Sequence, residues 1–127
     1  NYYMLKTCKI SIKNHEIFIK LKNSETAKLI WQNLPIISKV NTWGDEIYFF
    51  TSVKCDLEKD AKDVINYGEI AYWPEGKVIA IGFGETPISK KNEIRLASRC
   101  NIWGETDYNL KKLKDVIHDE EVFVEKC

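Results

Sequence analysis

The chain is 127 residues long, with 44% apolar and 30% charged residues and equal numbers of basic and acidic side chains, 19 of each. This length fits one folded domain, and the apolar content excludes an intrinsically disordered chain. A net charge of zero disfavours a dedicated nucleic-acid-binding protein, because such proteins usually carry a basic surplus. We therefore expect a single domain over residues 4–127 that does not bind nucleic acid.

The first third of the chain predicts a hairpin followed by a helix. Apolar residues alternate with polar ones from Cys8 to Ile12 and again from Ile17 to Leu21, with the turn signal Asn14-His15 between the two runs. After Asn23 or Ser24, which can cap a helix, apolar residues follow helical spacing up to Pro35. Proline ends that helix, because the residue before it avoids the helical region.

The middle of the chain predicts further strands. Residues 36–51 are typical of two strands, or of one bent strand interrupted at Trp43-Gly44. Residues 56–67 are charged and are expected to form a loop with a turn of helix. Strands are then predicted at Ile70–Trp73 and Val78–Phe83, joined by a turn at residues 74–76.

The last third predicts a polar loop at residues 86–96, a strand at Arg99–Gly104, a second helix starting at Asp107 and a final strand at Val122–Val124. The whole chain then has about eight strands and two short helices, without alternation of strands and helices. This order is typical of a mainly β fold, and we expect a closed eight-stranded antiparallel β-barrel with two short covering helices.

The residues that usually hold metals or perform nucleophilic catalysis are sparse. Four cysteines without a C-x-x-C motif predict reduced thiols in an intracellular protein rather than a zinc site: Cys8, Cys55, Cys100 and Cys127. His15 lies in a predicted turn and His118 in a predicted connector, so we expect no metal, no cofactor and no histidine catalysis. No signal peptide or membrane-spanning run is visible, which predicts a cytoplasmic protein without a membrane partner.

One face of the predicted barrel has the pattern of a binding groove. Alternation directs Glu46, Tyr48 and Phe50 to the side opposite the core, where a monomer seldom displays aromatic residues without a role. The neighbouring strand offers small residues on its outer face: Val78, Ala80, Gly82 and Gly84. Aromatic walls over such a floor predict a groove in which a ligand can approach the backbone closely. The alternative is that other segments cover this face and make it a second core layer.

Several segments together resemble a known family. They are NTWGDEIYF at 41–49, GEIAYWPEG at 68–76, FGETP at 83–87, Ala97-Ser98, and NIWG at 101–104. In this order, over about residues 5–126, they resemble the cyclophilin-like family of small, uncharacterised bacterial and archaeal proteins. The resemblance implies an eight-stranded antiparallel barrel closed by two helices, with the cyclophilin peptide groove on its outer face.

The resemblance also indicates what this chain lacks. In cyclophilins an arginine on one groove strand activates the proline amide, and the strand near Trp43–Phe50 is its counterpart by chain order. The two arginines here, Arg95 and Arg99, come much later. Rotation about an X-Pro bond faces a barrier of roughly 18–20 kcal/mol, and a groove without its cationic donor loses a major electrostatic contribution. Conventional prolyl isomerase activity is therefore not expected.

We expect the groove to bind a small ligand or a peptide through eight residues: Trp43, Glu46, Tyr48, Phe50, Tyr72, Trp73, Phe83 and Thr86. Strand alternation prevents Tyr72 and Trp73 from both facing it, so one of them belongs to the core. A solvent-exposed glutamate among aromatic rings would favour a cationic or hydrogen-bond-donating ligand. Two alternatives stay open: an isomerase with an atypical site that uses Arg99 or no arginine, and a homo-oligomeric interaction module, such as a homodimer, built on the same face.

Overall fold

The computed structural model describes residues 6–127, so the predicted domain start at Met4 lies outside the described part. Within this part the chain forms ten strands, one α-helix and one 3₁₀ helix. In chain order the elements are β1 Thr7–Ile12, β2 His15–Leu21, α1 Glu25–Gln32, β3 Ile36–Lys39, β4 Asn41–Thr42, β5 Glu46–Phe50, β6 Lys62–Ile65, β7 Glu69–Trp73, β8 Val78–Gly82, β9 Ile94–Glu105, the 3₁₀ helix Leu110–Asp115, and β10 Glu121–Lys126.

Nine of the strands form a nearly closed antiparallel barrel in the order β3-β10-β1-β2-β9-β7-β8-β5-β4, and β6 pairs with β9 outside this path. One end of the path, β3, approaches β5, the strand next to the other end, and the Ser38 hydroxyl donates a hydrogen bond to the carbonyl oxygen of Phe50 at 2.7 Å. The prediction of a mainly β antiparallel barrel with few helices is confirmed. The path has nine strands rather than eight because the short β4 adds a ladder to β5.

Side chains alternate between the two faces of each strand, and those that point inward fill the barrel interior. In β2, for example, buried and exposed residues alternate without a break, and Ile17 lies opposite Ile10 of β1. The fully buried side chains include Phe49, Tyr72 and Trp103 together with isoleucines from β1, β2, β5, β7 and β8. The period-two pattern of the sequence therefore translates directly into the core.

Helix α1 packs on this core with one face. The Ser24 hydroxyl accepts a hydrogen bond from the Ala27 amide at 3.2 Å, which is the expected N-terminal cap. Ala27 and Ile30 are buried against the barrel. A loop residue adds a second contact, because the Glu58 carboxylate accepts hydrogen bonds from the backbone and the hydroxyl of Thr26.

Three segments differ from the sequence-based predictions. Residues 62–65 form β6 rather than a turn of helix, and β9 begins at Ile94, inside the predicted polar loop. These two segments pair with each other as strands. Because each partner is remote in the sequence, no local pattern reveals the pairing. The second helix, predicted to start at Asp107, is a single 3₁₀ segment from Leu110 to Asp115, and Ile117 beyond its end is exposed.

The pairing of β6 with β9 builds a second apolar layer on the outside of the barrel. Its buried members come from β6, β7, β8 and β9: Ile65, Ala71, Ala80, Leu96, Cys100 and Ile102. Tyr48 and Trp73 are half-buried against this layer. The expected alternatives, a covered face or an open groove, are thus both present, each over part of the surface.

All four cysteines are free thiols in the structure. Among residues 6–127, no helix combines the length and the apolar character that crossing a membrane requires.

Candidate functional site

The candidate site is a groove on the outer face of β5 and β8, beside the second apolar layer. On the outer face, the register of these strands places the large aromatic residues of β5 against smaller residues of β8, with Tyr48 opposite Ala80 and Phe50 opposite Val78. Because side chains alternate across a strand, the large residues stand on one side of a low floor. Trp73 of β7 lies opposite Val78 and forms the other side.

The groove encloses a cavity of about 230 Å³. It is smaller than the cavities of about 300–1,000 Å³ that hold drug-sized ligands, so it suits a fragment-sized molecule. Its lining consists of Trp43, Glu46, Tyr48, Phe50, Trp73, Val78, Ala80, Leu96, Ala97, Ser98 and Cys100. Five of the eight residues predicted from the sequence therefore meet here.

The aromatic walls hold one another in place. The rings of Tyr48 and Phe50 lie edge to face, with centroids 6.1 Å apart and planes at 78°. Phe50 is 56% exposed and marks the open edge, whereas Trp43, Tyr48 and Trp73 are half-buried. An edge-to-face pair is favoured by about 0.5–1.5 kcal/mol beyond the burial of its area, so the contact supports this arrangement of the two rings.

The turn before β5 positions Trp43. The Trp43 amide donates a hydrogen bond to the Glu46 carbonyl at 2.9 Å, and Gly44 between them has a φ of +60°. A Cβ atom at Gly44 would lie 2.9 Å from the Cα of Thr86, so both the turn and the neighbouring loop require glycine. The turn motif in the sequence is therefore a structural support for the groove wall.

Glu46 is the polar group of the groove, and its environment differs from the prediction. The sequence reading placed it in solvent, but the residue is only 6% exposed. Its Oε1 atom has no hydrogen-bond partner among residues 6–127. Burial raises the pKa of the Glu46 carboxyl to about 7, because the apolar surroundings disfavour its charged form.

The floor of the groove is shorter than the sequence predicted. A Cβ atom at Gly82 would lie 2.5 Å from Cγ2 of Ile94, and one at Gly84 would clash with Oδ2 of Asp45. Both glycines are thus covered by side chains and offer no open backbone. Only Val78 and Ala80 of the predicted floor line the cavity.

The other three predicted site residues lie elsewhere. Tyr72 is fully buried in the barrel interior, and its hydroxyl donates a hydrogen bond to the carbonyl oxygen of Val53. Phe83 belongs to the same core. Thr86 is buried in the loop before β9, where its hydroxyl donates to the carbonyl oxygen of Arg95. Tyr72 and Trp73 therefore divide as alternation requires, with Trp73 on the groove side.

Sequence reasoning missed the contribution of β9, which lines the groove with Leu96, Ala97, Ser98 and Cys100. Leu96, Ser98 and Cys100 are spaced by two, as on one face of a strand. The predicted loop at residues 86–96 and the predicted strand start at Arg99 divide this pattern. Burial, with the nearby Glu46 and Asp63 carboxylates, raises the pKa of the Cys100 thiol to about 12. The thiol stays protonated and is not poised as a nucleophile.

Neither arginine is among the residues that line the cavity. The Arg95 guanidinium pairs with Glu93 at 2.7 Å and with Asp63 at 3.0 Å. Arg99 donates from Nε to the carbonyl oxygen of Ala61 at 3.3 Å.

No group of three or more potential metal-ligating side chains is found within residues 6–127. His15 is buried between the Tyr108 hydroxyl and the Asp115 carboxylate, each at 2.6 Å, and ties the 3₁₀ helix segment to β2. The hydrogen bond from His15 lowers the pKa of Asp115.

The chain folds as a nearly closed antiparallel β-barrel with a groove on its outer face. Comparisons of the chain with known proteins agree with this fold. A family model described as cyclophilin-like matches residues 6–125, and the chain belongs to this family. A hypothetical protein from Archaeoglobus fulgidus, known from its solution structure, is 39% identical, with a TM-score of 0.83. That likeness covers 100% of this chain and 98% of the archaeal one. No curated protein matches the chain.

Proposed function

We propose that this cyclophilin-like protein binds a small organic molecule in the groove on β5 and β8, without conventional prolyl isomerase activity. One observation carries the proposal: Glu46 lines the groove, and its buried Oε1 atom has no hydrogen-bond partner among residues 6–127. An unsatisfied buried polar group costs roughly 1–3 kcal/mol. A ligand that hydrogen-bonds to Glu46 recovers this energy, whereas a role in packing alone would be served better by an apolar residue.

The walls support a ligand with an apolar, ring-shaped body. Trp43, Tyr48, Phe50 and Trp73 present aromatic surface to a cavity of about 230 Å³. Burying an apolar ring there removes it from water and adds aromatic contacts. With few non-hydrogen atoms in so small a space, we expect dissociation constants on the order of millimolar for simple fragments.

The covered end of the groove favours a small molecule over an extended peptide. Ile94 lies over Gly82, so the floor does not continue past Ala80 along β8. A peptide strand would need a continuous surface on both sides of the residue that enters the cavity.

The positions of the arginines support the absence of isomerase chemistry, since Arg95 is engaged by Glu93 and Asp63.

Titration of the ¹⁵N-labelled protein with benzyl alcohol tests the proposal. The four tryptophan indole signals provide internal controls, because Trp43 and Trp73 line the cavity while Trp103 is buried in the core, where it donates to the Ala71 carbonyl. We expect saturable shifts of the Trp43 and Trp73 signals and an unchanged Trp103 signal. Equal shifts of all four indoles, or none at millimolar concentration, would contradict the proposal.

A blocking variant adds specificity to this test. Ala97 lines the cavity and is exposed, so Ala97→Trp fills the space without entering the core. It should abolish the shifts of the Trp43 and Trp73 signals. Phe18→Ala is the matched control, because Phe18 is an exposed aromatic residue on β2, away from the groove. That variant should bind benzyl alcohol as the unaltered protein does.

A further inference from the structure

We propose that the natural ligand of the groove is an organic ammonium ion whose charged nitrogen pairs with Glu46 while its apolar body lies against the aromatic walls. This inference rests on the proposed function and names the chemical class of its ligand. It follows from the charged and aromatic residues that line the cavity. It also follows from the Oε1 atom of Glu46, which has no hydrogen-bond partner among residues 6–127.

The cavity offers negative charge and no compensating positive charge. Among residues 6–127, Glu46 is the only carboxylate that lines the cavity, and no lysine or arginine lines it. Burial raises the pKa of the Cys100 thiol in the cavity lining, and the carboxylates of Glu46 and Asp63 raise it further. An anionic ligand is therefore repelled, and a cation supplies the charge that the buried carboxylate lacks.

The aromatic walls discriminate further between a cation and a neutral donor. The face of an aromatic ring carries negative charge density, which attracts a cation within about 6 Å, and more strongly when the cation is desolvated. Trp43, Tyr48 and Trp73 are all half-buried and line the cavity, so a cation bound there lies beside aromatic rings that are partly shielded from water. A neutral alcohol forms the hydrogen bond to Glu46 but gains neither this attraction nor the ion pair.

The ionisation of Glu46 makes recognition of a cation dependent on pH. Since burial raises the pKa of its carboxyl to about 7, the free groove is mostly neutral in mild acid and charged in mild base. An ammonium ion needs the carboxylate form, so its affinity falls as pH drops. Between about pH 8 and about pH 5.5 the ionised fraction changes about thirtyfold, and the affinity should follow.

The other groups that face Glu46 are few. Tyr48 and Cys100 are the remaining titratable residues of the groove lining, and the Cys100 thiol stays protonated over this range. Glu46 also borders a second cavity, whose charged or titratable residues are Asp45, Lys114 and His118. Histidine side chains titrate near neutral pH, so His118→Gln is the control that isolates Glu46.

The experiment compares two ligands of equal size, benzylamine and benzyl alcohol, by the shifts of the Trp43 and Trp73 indole signals. At about pH 8 we expect benzylamine to bind at least about tenfold more tightly than benzyl alcohol. Its affinity should fall about thirtyfold by about pH 5.5, both in the unaltered protein and in His118→Gln. The affinity for benzyl alcohol should change far less.

Glu46→Gln keeps the shape of the site and removes its charge, so it should abolish the preference for benzylamine. Glu121→Gln is the matched control, since Glu121 is an exposed residue of β10, outside the groove lining. If benzylamine binds no more tightly than benzyl alcohol, or without pH dependence, the ammonium inference is overturned while the proposed groove stands. If neither compound binds, both fail. The pH dependence in the unaltered protein needs no variant, so the test survives a misfolded Glu46→Gln.

Discussion

Replacing Glu46 with glutamine should change how stability depends on pH. Compared with the unaltered protein, the variant should gain unfolding free energy as the pH rises from mild acid to mild base. In the folded protein, burial raises the pKa of the Glu46 carboxyl from 4.5 to about 7. Between these two pH values the folded state still holds a proton that the unfolded state has lost. The free energy of unfolding therefore falls as the pH rises through this window, and the loss is complete above about pH 7.

The size of this effect follows from the difference between the two pKa values. At about 1.4 kcal/mol for each pH unit, it amounts to about 3 kcal/mol. Glutamine carries no titrating proton, so the variant lacks this loss. The amide itself leaves a buried polar group in the wall, but that cost is the same at every pH. The quantity to measure is therefore the change with pH of the difference in unfolding free energy between variant and unaltered protein.

Urea denaturation followed by tryptophan fluorescence at several pH values between about 4.5 and about 8 provides this quantity. The difference should shift in favour of Glu46→Gln by about 3 kcal/mol across the series. Contributions from other groups, such as Asp115, cancel because both proteins contain them. Glu121→Gln should show a flat difference, since Glu121 is exposed. A flat difference for Glu46→Gln as well would refute the assignment of Glu46 as a buried, unpaired carboxyl.

Two further predictions concern the covered end of the groove and the question of isomerase activity. Gly82→Ala should destabilise the protein by about 1–3 kcal/mol in urea denaturation, because the new Cβ meets Cγ2 of Ile94 at 2.5 Å. Adding Ile94→Ala should recover part of this loss; no recovery would show that Ile94 is not the obstacle. In a protease-coupled assay on an X-Pro peptide we expect no acceleration of isomerisation, since neither arginine lines the cavity. Acceleration that Tyr48→Ala abolishes would contradict the proposed function.

Most of the barrel could be predicted because its strands are half-buried. Where one face of a strand packs on the core, as in β2, apolar residues recur at every second position and the pattern reports the structure. The segments that escaped prediction are those whose partners are remote. β6 and the start of β9 mix polar and apolar residues, and they become strands because they pair with each other over a gap of about 30 residues.

The candidate site divides in the same way. The alternation in β5 placed Glu46, Tyr48 and Phe50 on the outer face, and they line the cavity. Alternation could not show that β6 and β9 cover Gly82, nor that Thr86 turns into its own loop to bond the Arg95 carbonyl. Glu46 is also buried, so the sequence reading of a solvent-exposed carboxylate was wrong.

The fold class, and the face of the barrel on which the aromatic residues gather, could be read from the sequence because both follow from local period-two patterns. Its equal numbers of basic and acidic residues did not show where an unpaired charge lies. The packing of distant segments buries Glu46 beside the cavity and leaves its Oε1 atom without a hydrogen-bond partner among the residues that the structure describes. Burial and pairing depend on which distant segments pack against a side chain, and this information is carried by the fold as a whole rather than by neighbours in the chain.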